Sequence, residues 1–257
     1  KGGTYNEGIL SMNVSGTAGN YITFQPYGFN GTNCGGFTGN PCAGDTVLVD
    51  YAYLGTVSGD TTPRFSINSK SYIRIQGLTF QNFRSVGGMK QLVRIDGNSS
   101  YVEVLQNKFL HNKTNHWTVG QDALLHFYIW GPANNIIVRG NEFGDIETGW
   151  SEPMTMRGGA SNNLIENNYV HDAKGGFDIH SGSSAIIRGN LLERVGLGGA
   201  VGIYVDGGAN SIIERNTVRD SEWAYMALSE PGEPAAHDII IRDNIAYRNA
   251  GGIMVGN

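Results

Sequence analysis

Ionisable side chains recur in this chain at intervals of one short repeat. Arg157, His180, Asp206 and Glu230 follow one another at steps of 23, 26 and 24 residues, with Asp178 two before His180 and Tyr204 two before Asp206. Their settings are "MTMRG", "GFDIHSG", "GIYVDGG" and "MALSE". Side chains alternate along a strand, so Phe177 and Ile179 face a core while Asp178 and His180 stand on the outer face. A cation, an imidazole, a phenol and carboxylates on one face meet the needs of proton abstraction beside a sugar carboxylate. In that reading Arg157 neutralises the substrate carboxylate, His180 is the base and Tyr204 the acid. Asp178 and Asp206 either hold the imidazole or bind Ca²⁺ through their oxygens. A second chemistry fits the same residues. Asp178 and Asp206, one coil apart and offset by two residues, would stand about 8 Å apart, the separation of an inverting glycosidase pair with room for a water. Asp206 with Glu230 is the alternative pair. A third reading is a non-catalytic carbohydrate-binding or adhesive solenoid.

Upstream on the same face come Arg94 and Asp96, then His126, Tyr128 and Trp130, then Thr155. His126, Tyr128 and Trp130, together with Glu152, are the expected substrate-binding residues. Aromatic platforms beside charged groups in an extended groove suit a polysaccharide or oligosaccharide better than a compact cofactor. Solvation alone selects polar residues on an outer face. What sets the stretch from Arg157 to Glu230 apart is the concentration of ionisable types able to shift one another's charge.

The elements that must position these residues are short strands in a repeating array. "IIVRGNEF", "LIENNYV", "IIRGNLL", "IIERNTV" and "IIIRDNIA" are copies of one motif, and "YIRIQGLTF" and "VEVLQNKF" are weaker copies. The shared asparagine falls at Asn107, Asn141, Asn168, Asn190, Asn216 and Asn244, with gaps of 34, 27, 22, 26 and 28 residues. Each unit holds at least two alternating strands and glycine-rich turns, with no helical period. That is the signature of a parallel β-helix, in which the asparagine marks a turn, adopts left-handed geometry and bonds its counterpart one coil on. A leucine-rich horseshoe lacks its leucine spacing here, and the variable period excludes a propeller. The expectation is one all-β, elongated domain over residues 1–257, with both ends lying inside the array.

Composition agrees. The 257 residues are 40% hydrophobic and 16% charged, and 38 glycines accompany only 7 prolines, which favours tight turns in an ordered fold. A net charge of −5 argues against a nucleic-acid groove or an anionic membrane surface, and no apolar run is long enough to span a bilayer. Cys34 and Cys42, in "TNCGGFTGNPCAG", are expected to form a disulfide and so to place the chain in a secreted or periplasmic setting. The chain is expected to be monomeric.

The repeats resemble the right-handed parallel β-helix proteins that include pectate lyases, alginate lyases, chondroitinase B and the mannuronan C-5-epimerases. The opening "GGTYNEGILSMNVSGTAGNYITFQPYG" and "SYIRIQGLTFQNF" resemble the beginnings of such secreted proteins. "GFDIH" is similar to the Gly-Phe-Asp-Pro-His segment of the epimerases, which implies active-site roles for Asp178 and His180; Ile179 stands in place of the proline. "EPMTMRGGASNNLIENNYV" resembles the lyase segment in which a glutamate precedes a catalytic lysine, with Glu152 and Arg157 in those places. The resemblance implies a polysaccharide lyase or epimerase acting on a uronic-acid polymer.

Overall fold

The computed structural model describes residues 3–5, 9–29, 47–52, 56–58, 62–86, 90–114, 124–147, 152–196 and 199–256. The expected Cys34–Cys42 bond lies outside the described residues, as does the side chain of His126. Among the described residues no helix is long and apolar enough to cross a membrane.

One coil shows the plan. Met154–Arg157 is followed by Asn163–Glu166 and Tyr169–Ala173, and the chain then returns at Phe177–His180 to pair in parallel with Met154–Arg157. Among the described residues, repetition of this circuit builds two nine-stranded sheets and one eight-stranded sheet, with a further short three-stranded sheet. Parallel crossovers of twisted strands close in one hand, and the result is the expected right-handed parallel β-helix.

Alternation along each strand drives the coiling. Phe177, Ile179, Ile203 and Val205 are fully buried and stack on their counterparts from neighbouring coils. On another wall Phe80, Phe109 and Phe143 stack with ring centroids 5.2 and 4.9 Å apart. Burial of this continuous column is the main stabilising contribution.

The repeated asparagines form a buried ladder. Asn141 Nδ2 donates to Asn168 Oδ1 at 3.0 Å, Asn168 Nδ2 to Asn190 at 3.0 Å and Asn190 Nδ2 to Asn216 at 2.9 Å. Each carboxamide also accepts a backbone N–H and donates to a carbonyl, as Asn168 does to Val138 at 2.9 Å. The left-handed residue at this corner is not the ladder asparagine but the one before it. Gln106, Gly140, Asn167, Gly189, Arg215 and Asp243 have φ of 55, 67, 55, 64, 54 and 56°. The turn is made one residue early, which aims each carboxamide into the interior, where its neighbours satisfy it.

Candidate active site

The outer face of the sheet that runs through Lys90–Asp96, Leu124–Trp130, Met154–Arg157, Phe177–His180, Val201–Asp206 and Trp223–Leu228 carries two side-chain columns. In the first, Arg94, Tyr128, Thr155, Asp178, Tyr204 and Met226 stand opposite one another in turn. In the second, Trp130 faces Arg157 and His180 faces Asp206; the Met156–Ile179 pairing carries Arg157 to the level of His180. The repeat arithmetic therefore holds from Arg157 to Asp206 and fails at the next step. Leu228, not Glu230, stands opposite Asp206, because the strand ends there and Glu230 begins a loop. Glu230 still reaches the site through its backbone N–H, which donates to Asp206 Oδ1 at 2.8 Å.

Outward does not mean wet. Asp178 is 4% exposed and Asp206 2%, so Asp178, expected to be unburied on the outer face, is buried there. Thr155 and Tyr204 flank Asp178 along the column, and the loop of residues 229–236 begins over Asp206. Tyr128, expected as a sugar platform, is likewise buried within the column, edge-on to Trp130 with centroids 5.1 Å apart. Trp130 is the exposed ring, with the Arg94 guanidinium 5.7 Å from its centroid and Arg94 held by Asp96 at 2.6 Å. Tyr128 Oη, Thr155 Oγ1 and Asp178 Oδ1, on three successive coils, have no hydrogen-bond partner among the described residues.

His180 is the hub. Its Nε2 lies 3.3 Å from Asp206 Oδ2, and its Nδ1 lies 2.7 Å from Ser181 Oγ and 3.2 Å from Glu233 Oε2. Glu233, on the 229–236 loop, also takes a hydrogen bond from Arg157 Nη2 at 3.0 Å and one from Ser181 Oγ at 2.5 Å. Burial and then the Arg157 charge lower the imidazole's pKa, so it is neutral in the ordinary pH range. The Ser181 hydroxyl holds the Glu233 carboxyl below its usual value.

Beside this hub a groove of about 430 Å³ is lined by Glu152, Lys174, Tyr204, Met226 and Glu230, with Ala200, Val201 and Pro231 among its apolar walls. Burial, with Glu230 and Asp206 adding repulsion, pushes the Glu152 carboxyl up to about 7. Burial and then the charges of Glu152, Asp206 and Glu230 raise Asp178 well above a normal carboxyl, so it is held protonated. Burial also raises Tyr204, keeping its phenol protonated, and lowers Lys174. A Cβ on Gly175 would stand 3.1 Å from Glu152 Cγ, so the glycine leaves room for that side chain on the groove floor.

The structure thus brings Glu152, Arg157, Asp178, His180, Tyr204, Asp206 and Glu230 around one site and leaves Tyr128 and Trp130 upstream. Among the described residues no three His, Cys, Asp or Glu side chains are placed to share a metal ion such as the expected Ca²⁺. Sequence reasoning missed Glu233 and Ser181. Glu233 sits in "SEPGEP", outside any repeat, so no periodicity marks it; Ser181, next to His180, is a turn residue with φ of 53°.

A family model described as "Right handed beta helix region" matches residues 150–257. The uncharacterised protein YwoF of Bacillus subtilis (strain 168) is 27% identical over 99% of this chain and 55% of its own length. The chain therefore spans about half the length of that curated relative. Among solved structures, an alginate lyase from Paenibacillus sp. str. FPU-7 aligns with a TM-score of 0.63 at 13% identity, over 98% of this chain and 88% of that one. A GH136 lacto-N-biosidase from Eubacterium ramulus aligns with a TM-score of 0.61 at 12% identity, over 97% of this chain and 50% of that one. At these identities the likeness to solved structures is one of fold.

Proposed function

We propose that this groove is the active site of a carbohydrate-active enzyme that removes the C-5 proton of a uronic-acid residue in a polysaccharide, as a lyase or an epimerase. The observation that carries the reading is that Arg157 and His180 converge on a single carboxylate, at 3.0 and 3.2 Å. Abstraction beside a carboxylate requires both groups, since the cation lowers the cost of the negative charge that builds up as the proton leaves. With Nε2–H directed at Asp206, Nδ1 is the basic nitrogen, and the neutral imidazole can take a proton there. In elimination His180 takes the C-5 proton and the electron pair forms the C4–C5 double bond. The C4–O bond breaks as that double bond forms, and the departing oxygen receives the Tyr204 proton. In epimerisation the C4–O bond stays intact and Tyr204 instead delivers a different proton to C-5 from the opposite face. Both structural neighbours that align with TM-scores above 0.6 are named as carbohydrate-active enzymes, which supports the substrate class.

The second reading, an inverting glycoside hydrolase, is favoured by a separate observation: Asp178 is buried one coil from Asp206 with its Oδ1 unpartnered among the described residues, a setting that raises its pKa as a general acid requires. Assay over a panel of acidic and neutral polysaccharides separates the two. Ultraviolet-absorbing unsaturated product, or solvent deuterium at C-5, supports proton abstraction. New reducing ends alone support the hydrolase, and binding without turnover supports an adhesive solenoid. A secreted or periplasmic location is part of the same proposal, because a polymeric substrate is met outside the cell.

A further inference from the structure

The 229–236 loop is built to present one side chain. Its neck is closed by Ala236 N–H donating to Ser229 Oγ at 2.7 Å, and its turn by Glu233 N–H donating to the Glu230 carbonyl at 3.0 Å. Most of the loop is exposed: Glu230, Pro231, Gly232, Pro234 and Ala235 face solvent. Between Glu230 and Ala235 only Glu233 turns inward, its side chain 16% exposed, and it reaches back 76 residues in sequence to Arg157. The loop lies close on Gly207, where a Cβ would be 2.5 Å from the Pro234 carbonyl and 3.1 Å from Glu233 Cβ. Two groups that belong to the coils themselves, Arg157 Nη2 and Ser181 Oγ, thus donate to one carboxylate carried by a surface loop, and His180 Nδ1 lies 3.2 Å from it.

We infer that Arg157 and Ser181, beside the basic Nδ1 of His180, form a carboxylate-binding site for an acidic sugar, and that Glu233 occupies it in place of the substrate. The inference rests on the proton-abstraction reading and deepens it, since it states where the sugar carboxylate goes and what must leave first. A sugar carboxylate seated there would put C-5, one bond from the carboxyl carbon, beside Nδ1 of His180. An internal carboxylate on a short loop competes at an effective concentration of about millimolar or above, comparable to the affinity of a single sugar unit. A polymer making further contacts along the groove would displace it more readily than a monosaccharide.

The test is binding of D-glucuronate, D-galacturonate and D-mannuronate, with glucose as the neutral control, followed by NMR titration of the whole chain. Glu233→Gln keeps the size of the side chain, removes its charge and turns one of its two acceptor oxygens into a donor; Glu233→Ala removes the occupant altogether. Both are expected to bind at least one uronate about tenfold more tightly than the unmodified protein, with glucose unbound throughout. Adding Arg157→Ala to Glu233→Gln is expected to abolish that gain. Unchanged or weaker uronate binding in both variants, or equal binding of glucose, would overturn the inference. Tighter uronate binding with no C-5 chemistry on any polymer would sink the catalytic reading and leave the carboxylate site standing. C-5 chemistry with no tightening would do the reverse.

Discussion

Two faces of this helix handle their carboxylates in opposite ways. On the sheet through Tyr169–Ala173, Leu191–Val195 and Thr217–Arg219, Glu193 is bonded by Tyr169, Arg194 and Arg219, Asp172 by Arg194 and His171, and Glu142 meets Lys108 and His171. Each of those carboxyls lies below its ordinary pKa, Asp172 at about 2 with the Arg194 hydrogen bond as the largest cause. On the groove face, built by the same coils in the same register, Glu152 and Asp178 lie above theirs and the His180 imidazole lies below its own. One face is an outer ladder in which every such carboxylate finds a cation. The other gathers like charges, buries them and leaves Asp178 Oδ1 without a partner. Stability alone would favour the first arrangement everywhere. That the second occurs at the groove and beside Arg157 is the physical ground for placing function there.

The largest effects expected from breaking the contrast are on turnover. His180→Ala and Arg157→Ala should each lower the rate by about 10²–10⁴-fold while circular dichroism and melting temperature stay near the unmodified values, because both side chains lie outside the core column. Loss of fold in His180→Ala would show that the imidazole is a packing element.

Asn168→Ala should come next, and on stability alone. It removes the acceptor for the Asn141 N–H and carboxamide and the donor to the Val138 carbonyl, leaving buried polar groups unpaired. The cost expected from denaturant unfolding is about 2–4 kcal/mol.

Smaller, and opposite in sign, are the effects of neutralising groove carboxyls. Glu152 and Asp178 bind protons more tightly folded than unfolded. Folding therefore loses free energy as pH rises through the unfolded carboxyl range, about 4, toward the folded value near 7 for Glu152. Glu152→Gln and Asp178→Asn should each raise the melting temperature at pH 8, with little change at pH 4. A lower melting temperature at pH 8 would mean that these carboxyls are compensated in solution. Asp178→Asn also sharpens the choice of chemistry, being tolerated by proton abstraction at His180 and fatal to an Asp178–Asp206 hydrolase.

The smallest effect belongs to the paired face. Asp172 is depressed in the folded protein, so its stabilisation is present above the unfolded value and fades as pH falls toward 2. Its side chain is 46% exposed, and solvent screening limits the cost of Asp172→Asn to about 0.2–1 kcal/mol at pH 7.

The coils, the asparagine ladder and the grouping of Arg157, Asp178, His180, Tyr204 and Asp206 were legible because each depends on a repeat that recurs in the letters. What was not legible depends on contacts between parts unrelated by the repeat. Asp178 alternates outward, yet burial follows from the neighbouring coils, which periodicity does not report. Glu230 lies at a plausible step from Asp206, yet the register goes to Leu228 because the strand ends before the glutamate. Glu233 comes from a loop whose sequence could be any surface turn, and it reaches Arg157 only through the coiling of the chain.

The most direct test of proton abstraction at His180 is to incubate the protein with uronic-acid polymers in D₂O and follow C-5 by NMR, with ultraviolet absorbance for unsaturated ends. The account predicts deuterium at C-5 or unsaturated product from at least one such polymer, lost in His180→Ala and Arg157→Ala. Cleavage that yields only new reducing ends, with C-5 still fully protonated, would contradict it.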